Sequence, residues 1–279
     1  MPSGSAQSFG GVWTREKLQI LAAYLDAYTT ALKNTRFSLW YVDAFAGSGA
    51  IQALDNDEER AFLIGSTEIA LGITDRPFDQ LLFIEKDLEN AQALRGRVET
   101  LGETGRTRIE QGDANLSLPA FCGSMGPLDR AVVFLDPFAT EVDWRTVKSV
   151  ARTQKCDVWI LFPASAIRRL LPRQGQTVHD AVLTRVFGDE SWRELQRPAA
   201  QQSFDFFSDG PDIETEAGIE AIGRSYMAKL EDAFAGVASN PRILRNSRNS
   251  PLYLFMFAAG NSAGAPIAVR IANHLLTAF

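Results

Sequence analysis

Phe37-Ser-Leu-Trp-Tyr-Val-Asp43-Ala-Phe45-Ala46-Gly47-Ser-Gly49-Ala-Ile51 is the stretch on which the fold turns. Its first half packs aromatic and β-branched residues densely enough for a buried parallel strand, and its second half breaks into small residues where a strand must turn sharply. Gly47 and Gly49 remove Cβ atoms that would keep a ligand off the backbone. Asp43 ends the strand on the side where ligands of open α/β sheets bind. A nicotinamide or flavin fingerprint asks for a third Gly or Ala three residues after Gly49, and position 52 is Gln. Asp43 would also lie near any bound phosphate, so a ligand with a positive end suits the turn better.

Moving outward, 279 residues with 46% hydrophobic content can bury a full core as a single domain, residues 1–279, with 1–12 a flexible lead. The net charge of −6 supplies no global basic field to hold nucleic acid, so any such contact must be local. Cys122 and Cys156 are far apart in sequence and lack a CxxC, which argues against a zinc site or a disulfide framework and fits a reducing, cytoplasmic setting. With two histidines, a His-based metal site is not expected. No apolar run approaches the roughly 18–20 residues of a membrane span.

Before the opening strand, Thr14 to Leu32 reads as a packing helix with Thr14 as N-cap and a Leu18, Leu21, Leu25, Tyr28 stripe. Trp13 and Lys17 are weaker ligand candidates, since that helix can hang over the glycine turn. After the turn, Asp55–Arg60 is a polar excursion and Gly65–Leu71 a helix. Leu81-Leu-Phe-Ile-Glu85-Lys86-Asp87 is a buried strand ending in charge, where an acid can accept both ribose hydroxyls of an adenosine. Asp87 suits a helix N-terminus better than Glu85 does, which leaves Glu85 as the ribose candidate. Leu88 to Leu101 is a helix with an Ala91, Leu94, Val98, Leu101 stripe, and the strand Thr107–Gln111 runs into Gly112-Asp113-Ala114-Asn115. Asp113 at that tip can accept from an adenine amino group, with Ala114 beside it; alone the tripeptide is also an ordinary turn.

Ala131-Val-Val-Phe-Leu-Asp136-Pro137-Phe138 is the second centre of the chain, and Asp143 ahead of Trp144 is a better helix cap than Asp136. Asp43-x-Phe45-x-Gly47-x-Gly49 resembles the first motif of amino methyltransferases, whose cofactor is S-adenosyl-L-methionine with its ammonium and sulfonium. Asp136-Pro137-Phe138 resembles their Asp-Pro-Pro-Tyr/Phe motif with one proline missing. There the carboxylate and a proline carbonyl accept from the target amine and the ring stacks on its planar group. Trp13-Thr-x-x-Lys17-Leu, Asp43-Ala-Phe-Ala-Gly-x-Gly, Phe134-Leu-Asp-Pro-Phe and Asp157-Val-Trp-Ile-Leu-Phe-Pro163, in this order, are similar to the three-Cys-motif partner protein family (TcmP) of bacteria and their mobile elements.

The resemblance covers residues 11–170 well. It implies a Rossmann-like class I methyltransferase fold: an α/β domain with a mostly parallel sheet and helices on both faces. It also implies a SAM-dependent enzyme acting on an amino group and a partner protein carrying three clustered cysteines. Asp43, Phe45, Ala46, Gly47, Gly49, Glu85, Lys86, Asp113 and Ala114 would hold the cofactor, while Asp136, Pro137 and Phe138 position the target. The alternative is a catalytically silent scaffold of the same fold.

Residues 164–249 read as a helical insertion after the fifth strand, the natural place for target recognition. Val178–Phe187 and Glu216–Ala235 are its helices and Ser203–Glu214 a turn-rich connector. Arg168, Arg169, Arg173, Arg242, Arg245 and Arg248 are candidates for a local phosphate-contacting rim. Leu252–Ala258 is a closing strand and Pro266–Leu276 a closing helix.

Overall fold

The computed structural model describes residues 12–49, 65–172, 178–195 and 213–279. The lead before residue 12, Gln52, the Asp55–Arg60 excursion, Arg173 and most of the Ser203–Glu214 connector lie outside them. In chain order the elements are α1 (Val12–Leu32), β1 (Ser38–Asp43), α2 (Ser66–Leu71), β2 (Gln80–Glu85), α3 (Leu88–Thr100), β3 (Thr107–Gln111), α4 (Ala114–Ser124) and β4 (Asp129–Leu135). They continue with α5 (Trp144–Thr153), β5 (Cys156–Phe162), α6 (Ala164–Leu170), α7 (Asp180–Phe187), a 3-10 turn (Glu190–Leu195), α8 (Ile213–Ala233), β6 (Gly236–Val237), β7 (Arg242–Arg245), β8 (Pro251–Ala259) and α9 (Ala265–Ala278).

The sheet order is β3-β2-β1-β4-β5-β8-β6, with β7 also paired to β8. β1 through β5 are mutually parallel, whereas β8 runs antiparallel to β5, β6 and β7. The direction of winding reverses between β1 and β4, and a crevice opens there at the carboxyl ends of the strands. This is a Rossmann-like α/β fold, with a mostly parallel sheet and helices on both faces.

Strand residues alternate between two buried layers, as both-face burial of a parallel sheet requires. Val42, Leu82, Ile84, Val133 and Leu135 pack with α4, α5 and the helices after β5. Tyr41, Leu81, Phe83, Val132 and Phe134 pack with α1, α3 and α9. The predicted stripes of α1 and α8 are buried: Leu18, Leu21 and Leu25 on one side of the sheet, Ile219, Ile222, Tyr226 and Leu230 on the other. The α3 stripe is buried only through Val98, and Leu101 is exposed.

Two sequence expectations change. Thr14 is not an N-cap, because α1 already includes Val12 and Trp13, and Trp13 stacks on Tyr253 with ring centroids 5.1 Å apart. Asp143 occupies the N-cap position of α5 without a side-chain cap bond, because its carboxylate is taken by Arg145 and Arg185.

Tyr24 of α1 donates to Asp157 of β5 at 2.7 Å. Burial pushes the Asp157 carboxyl up to about 6 against this donor, and pushes Asp43 up to about 6 likewise. Each acid binds its proton more tightly when folded, so the unfolded chain releases protons first. Each therefore lowers stability as pH rises from about 4 to about 6, by on the order of 2–3 kcal/mol, with no further change above. Asp157→Asn is expected to gain stability relative to wild type between pH 4 and pH 7, read as urea midpoints at both pH values. Parallel midpoint profiles for the two proteins would refute this.

Candidate functional site

A cavity of about 780 Å³ opens at the carboxyl ends of β1 to β4, within the range of small-molecule sites. Ala44, Phe45, Gly47, Glu85, Lys86, Asp87, Gly112, Asp113, Ala114, Asn115, Asp136, Phe138, Glu141 and Arg185 line it. Five of these are acids and two are bases, so the wall is negative. Glu85, Asp113 and Asp136, predicted from three separate strand tips, therefore face one space.

Glu85 fastens that wall together. Its Oε2 accepts from the Gly47 backbone N–H and its Oε1 from that of Asp87, both at 2.7 Å. An ionised carboxylate has about four acceptor sites, so two remain for a ligand. Gly47 has φ +61° with open space where a Cβ would stand, and it leaves the cavity clear at the turn. Gly49, at φ +74°, serves a different purpose, since a Cβ there would stand 2.8 Å from Leu94 of α3. Its bareness lets a helix close on the turn and gives no room to a ligand.

Asp113 caps α4, with Oδ1 accepting from the Asn115 N–H at 2.8 Å. That bond, with the Lys86 ammonium 3.4 Å from Oδ2, holds its carboxyl below the usual range. Asp87, as expected, caps α3 through the Asn90 N–H.

Asp43 does not line the cavity. It is fully buried and spends its oxygens inside the chain, on the Ser66 hydroxyl at 2.5 Å, the Phe45 N–H at 3.1 Å and the Tyr41 hydroxyl at 3.4 Å. Among the described residues it acts as a knot behind the glycine turn. Ala46 is likewise buried, with its N–H on the Ile84 carbonyl. Pro137 faces a separate narrow crevice with Val142, Ile160, Phe162 and Tyr226.

Asp136 and Phe138 stand at the far wall. The Lys17 ammonium, on a side chain buried in α1, contacts Asp136 Oδ2 and lies 5.3 Å and 5.8 Å from the Trp13 and Phe134 ring centroids. The motif resemblance alone does not foresee this pair, although the helix had been expected to overhang the turn. Phe138 is 70% exposed, an unusual setting for a large aromatic residue.

The backbone that carries it is held from two sides. Asn115 donates to the Glu141 carbonyl and accepts from the Asp143 N–H and the Thr146 hydroxyl, at 2.8–2.9 Å. Arg185 of α7 reaches the Thr140 carbonyl at 3.0 Å and Asp143 Oδ1 at 2.7 Å. Between them Ala139 takes φ +54°, a conformation a non-glycine residue holds only when its surroundings fix it. Sequence reasoning missed Asn115 and Arg185 as site residues; the clue for Asn115 was its place in the first turn of the helix that Asp113 caps.

Gly188 ends α7 at φ +79°, and a Cβ there would come within 2.1 Å of Trp144. Gly188→Ala combines backbone strain with overpacking and is expected to cost about 2–3 kcal/mol. It also shifts Arg185 off the loop. An unchanged Tm in calorimetric melting would contradict this.

No helix among the described residues is long and apolar enough to cross a membrane. No family model and no curated protein matches the chain. Among solved structures, protein LPL1258 from Legionella pneumophila aligns with a TM-score of 0.52 at 11% identity, covering 96% of this chain and 93% of its own. Trm1 from Pyrococcus horikoshii, solved with S-adenosyl-L-methionine, aligns at 0.47 and 11% identity over 96% of this chain and 61% of its own. The O-methyltransferase TomG from Streptomyces achromogenes, in complex with SAM, aligns at 0.43 and 14% identity over 88% and 79%. The likeness is one of fold.

Proposed function

We propose that the protein is an S-adenosylmethionine-dependent methyltransferase that acts on an amino group, and that the group belongs to a nucleobase. One observation carries this reading: Glu85, Asp113 and Asp136, from three successive strand tips, line one cavity with the open Gly47 turn. An acid-rich wall disfavours a dinucleotide pyrophosphate and favours a ligand with cationic ends.

The residues present fit that cofactor. Glu85 has acceptor sites for ribose hydroxyls, Asp113 for an exocyclic amine, and the Phe45–Gly47 backbone borders the space between them. When bound, S-adenosylmethionine supplies an electrophilic methyl group on a sulfonium. The chain's part is orientation and exclusion of water, with no nucleophilic side chain needed. Lys17 fixes Asp136 by Oδ2, which leaves Oδ1 to accept from a target N–H and aim the nitrogen lone pair. Phe138 offers its exposed face to a planar ring.

Calorimetric titration with S-adenosylmethionine tests the cofactor, with micromolar binding expected. Tritiated methyl incorporation into total RNA and DNA, lost in Asp136→Asn, tests the acceptor. Loss of cofactor binding or of all incorporation by wild type would refute the two halves separately.

A second reading has one observation behind it: the Lys17 ammonium already sits on the carboxylate that would receive the target. In that reading the chain is a silent scaffold that binds a three-Cys-motif protein, and titration with the cofactor gives no heat.

A further inference from the structure

A second groove of about 760 Å³ lies between the start of α1, the β7–β8 hairpin and the end of α9. Trp13, Glu16, Arg242, Arg245, Asn246 and Ser247 are among its walls. One wall is aromatic: Trp13, partly buried, lines the groove and is backed by Tyr253, with ring centroids 5.1 Å apart and planes tilted by 33°. Trp13 also lies beside the ammonium of Lys17, which holds Asp136, so the groove meets the acceptor end of the proposed site through two side chains.

The charge of the groove is opposite to that of the cofactor cavity. Arg242 neutralises Glu16, the one acid in its wall, and reaches the Phe279 carbonyl. Arg245 lines the groove and donates to the Asn249 carbonyl at 3.0 Å, and Arg248 stands exposed on the hairpin turn. That turn is built to present its tip. Asn246 Oδ1 accepts from the Arg248 and Ser250 N–H groups at 3.0 and 2.9 Å, while Asn249 adopts φ +59°.

We propose that this groove binds a single-stranded nucleic acid, with Arg245 and Arg248 on backbone phosphates and a base stacked on Trp13. A base out of its stack is also what an amino-methylating site must receive, and a single strand supplies one without the unpairing cost a duplex carries. The inference rests on the nucleobase reading above, and deepens it. A duplex must first unpair and unstack a base to lay it on Trp13, so it is the disfavoured partner.

The test is fluorescence anisotropy with fluorescein-labelled 15-nucleotide single-stranded RNA, the DNA of the same sequence, and the corresponding DNA duplex. One or both single strands are expected to bind in the micromolar range, with an affinity falling roughly tenfold between 50 and 200 mM salt, as for about two phosphate contacts. Arg245→Ala/Arg248→Ala is expected to weaken binding at least fivefold and flatten the salt dependence, and Arg245→Lys/Arg248→Lys to keep most of both. Trp13→Ala should weaken binding about tenfold with little change in salt slope. Melting temperatures within a few degrees of wild type exclude unfolding as the cause. Equal or tighter binding of duplex, no binding of either strand, or an arginine double variant indistinguishable from wild type overturns the proposal. Calorimetry with S-adenosylmethionine on the same variants separates the two ideas: heat without strand binding removes the groove and leaves the cofactor, and strand binding without heat does the reverse.

Discussion

Glu85→Ala is expected to reduce S-adenosylmethionine affinity about 100-fold, to the edge of calorimetric detection. Two hydrogen bonds from ribose hydroxyls to one ionised carboxylate are worth roughly 3 kcal/mol together, and 1.4 kcal/mol corresponds to a tenfold change. The variant also frees the Gly47 and Asp87 N–H groups, which Glu85 accepts at 2.7 Å. Both face the cavity edge, where water replaces the lost acceptor, so the stability loss should stay near 1 kcal/mol. Glu85→Asp separates the two roles: a shorter carboxylate keeps the charge but not the reach. An affinity within threefold of wild type in Glu85→Ala would remove Glu85 from the site.

Asp136→Ala should destabilise the fold by about 3 kcal/mol, although Asp136 lies in a loop and is partly exposed. The reason is its partner. Lys17 has a side chain only 5% exposed, and without Asp136 its ammonium stays among Trp13 and Phe134 with no carboxylate in contact. Lys17→Met/Asp136→Ala is expected to recover most of that loss, because the stem still packs and no charge remains buried. A cycle of urea unfolding on the four proteins gives the coupling directly. Additive losses would mean that the pair does not interact in solution. For the same reason Asp136→Asn, which keeps an oxygen towards Lys17, is the variant for acceptor measurements.

What could be read from the chain follows from which contacts are local. The parallel strands announced themselves as apolar runs, and the acids at their ends needed no knowledge of tertiary structure, which is why Glu85, Asp113 and Asp136 could be picked out and are found lining one cavity. Asp43 shows the limit. It has the same sequence appearance as Glu85, yet it points inward because Ser66 and Tyr41 meet it there. Nothing near Asp43 in sequence signals Ser66, which arrives from the next helix. The Lys17–Asp136 pair joins residues 119 positions apart, and the Arg185 hold on Asp143 joins residues 42 apart.

The cysteines make the point in reverse. Separated by 34 positions, they looked unrelated, but the fold brings the two free thiols near each other, and the neighbouring thiol together with burial raises Cys156. Register and crossover decide such meetings, and both depend on the assembled sheet. Asp143 holds the N-cap position as expected but makes no side-chain cap bond for a similar reason, since two guanidinium groups take its carboxylate.

The strand order has a consequence for size selection. Asp113 follows β3 and Asp136 follows β4, and the order β3-β2-β1-β4 puts three inter-strand gaps between them. At about 4.8 Å per gap that separation is roughly 14 Å, and backbone hydrogen bonds lock it. The sheet is thus a ruler laid across the crevice, with Glu85 as an intermediate graduation. On the proposed reading, a cofactor held at Asp113 delivers a group to an acceptor at Asp136 only if it reaches across those gaps, and no side-chain rearrangement moves the strands closer.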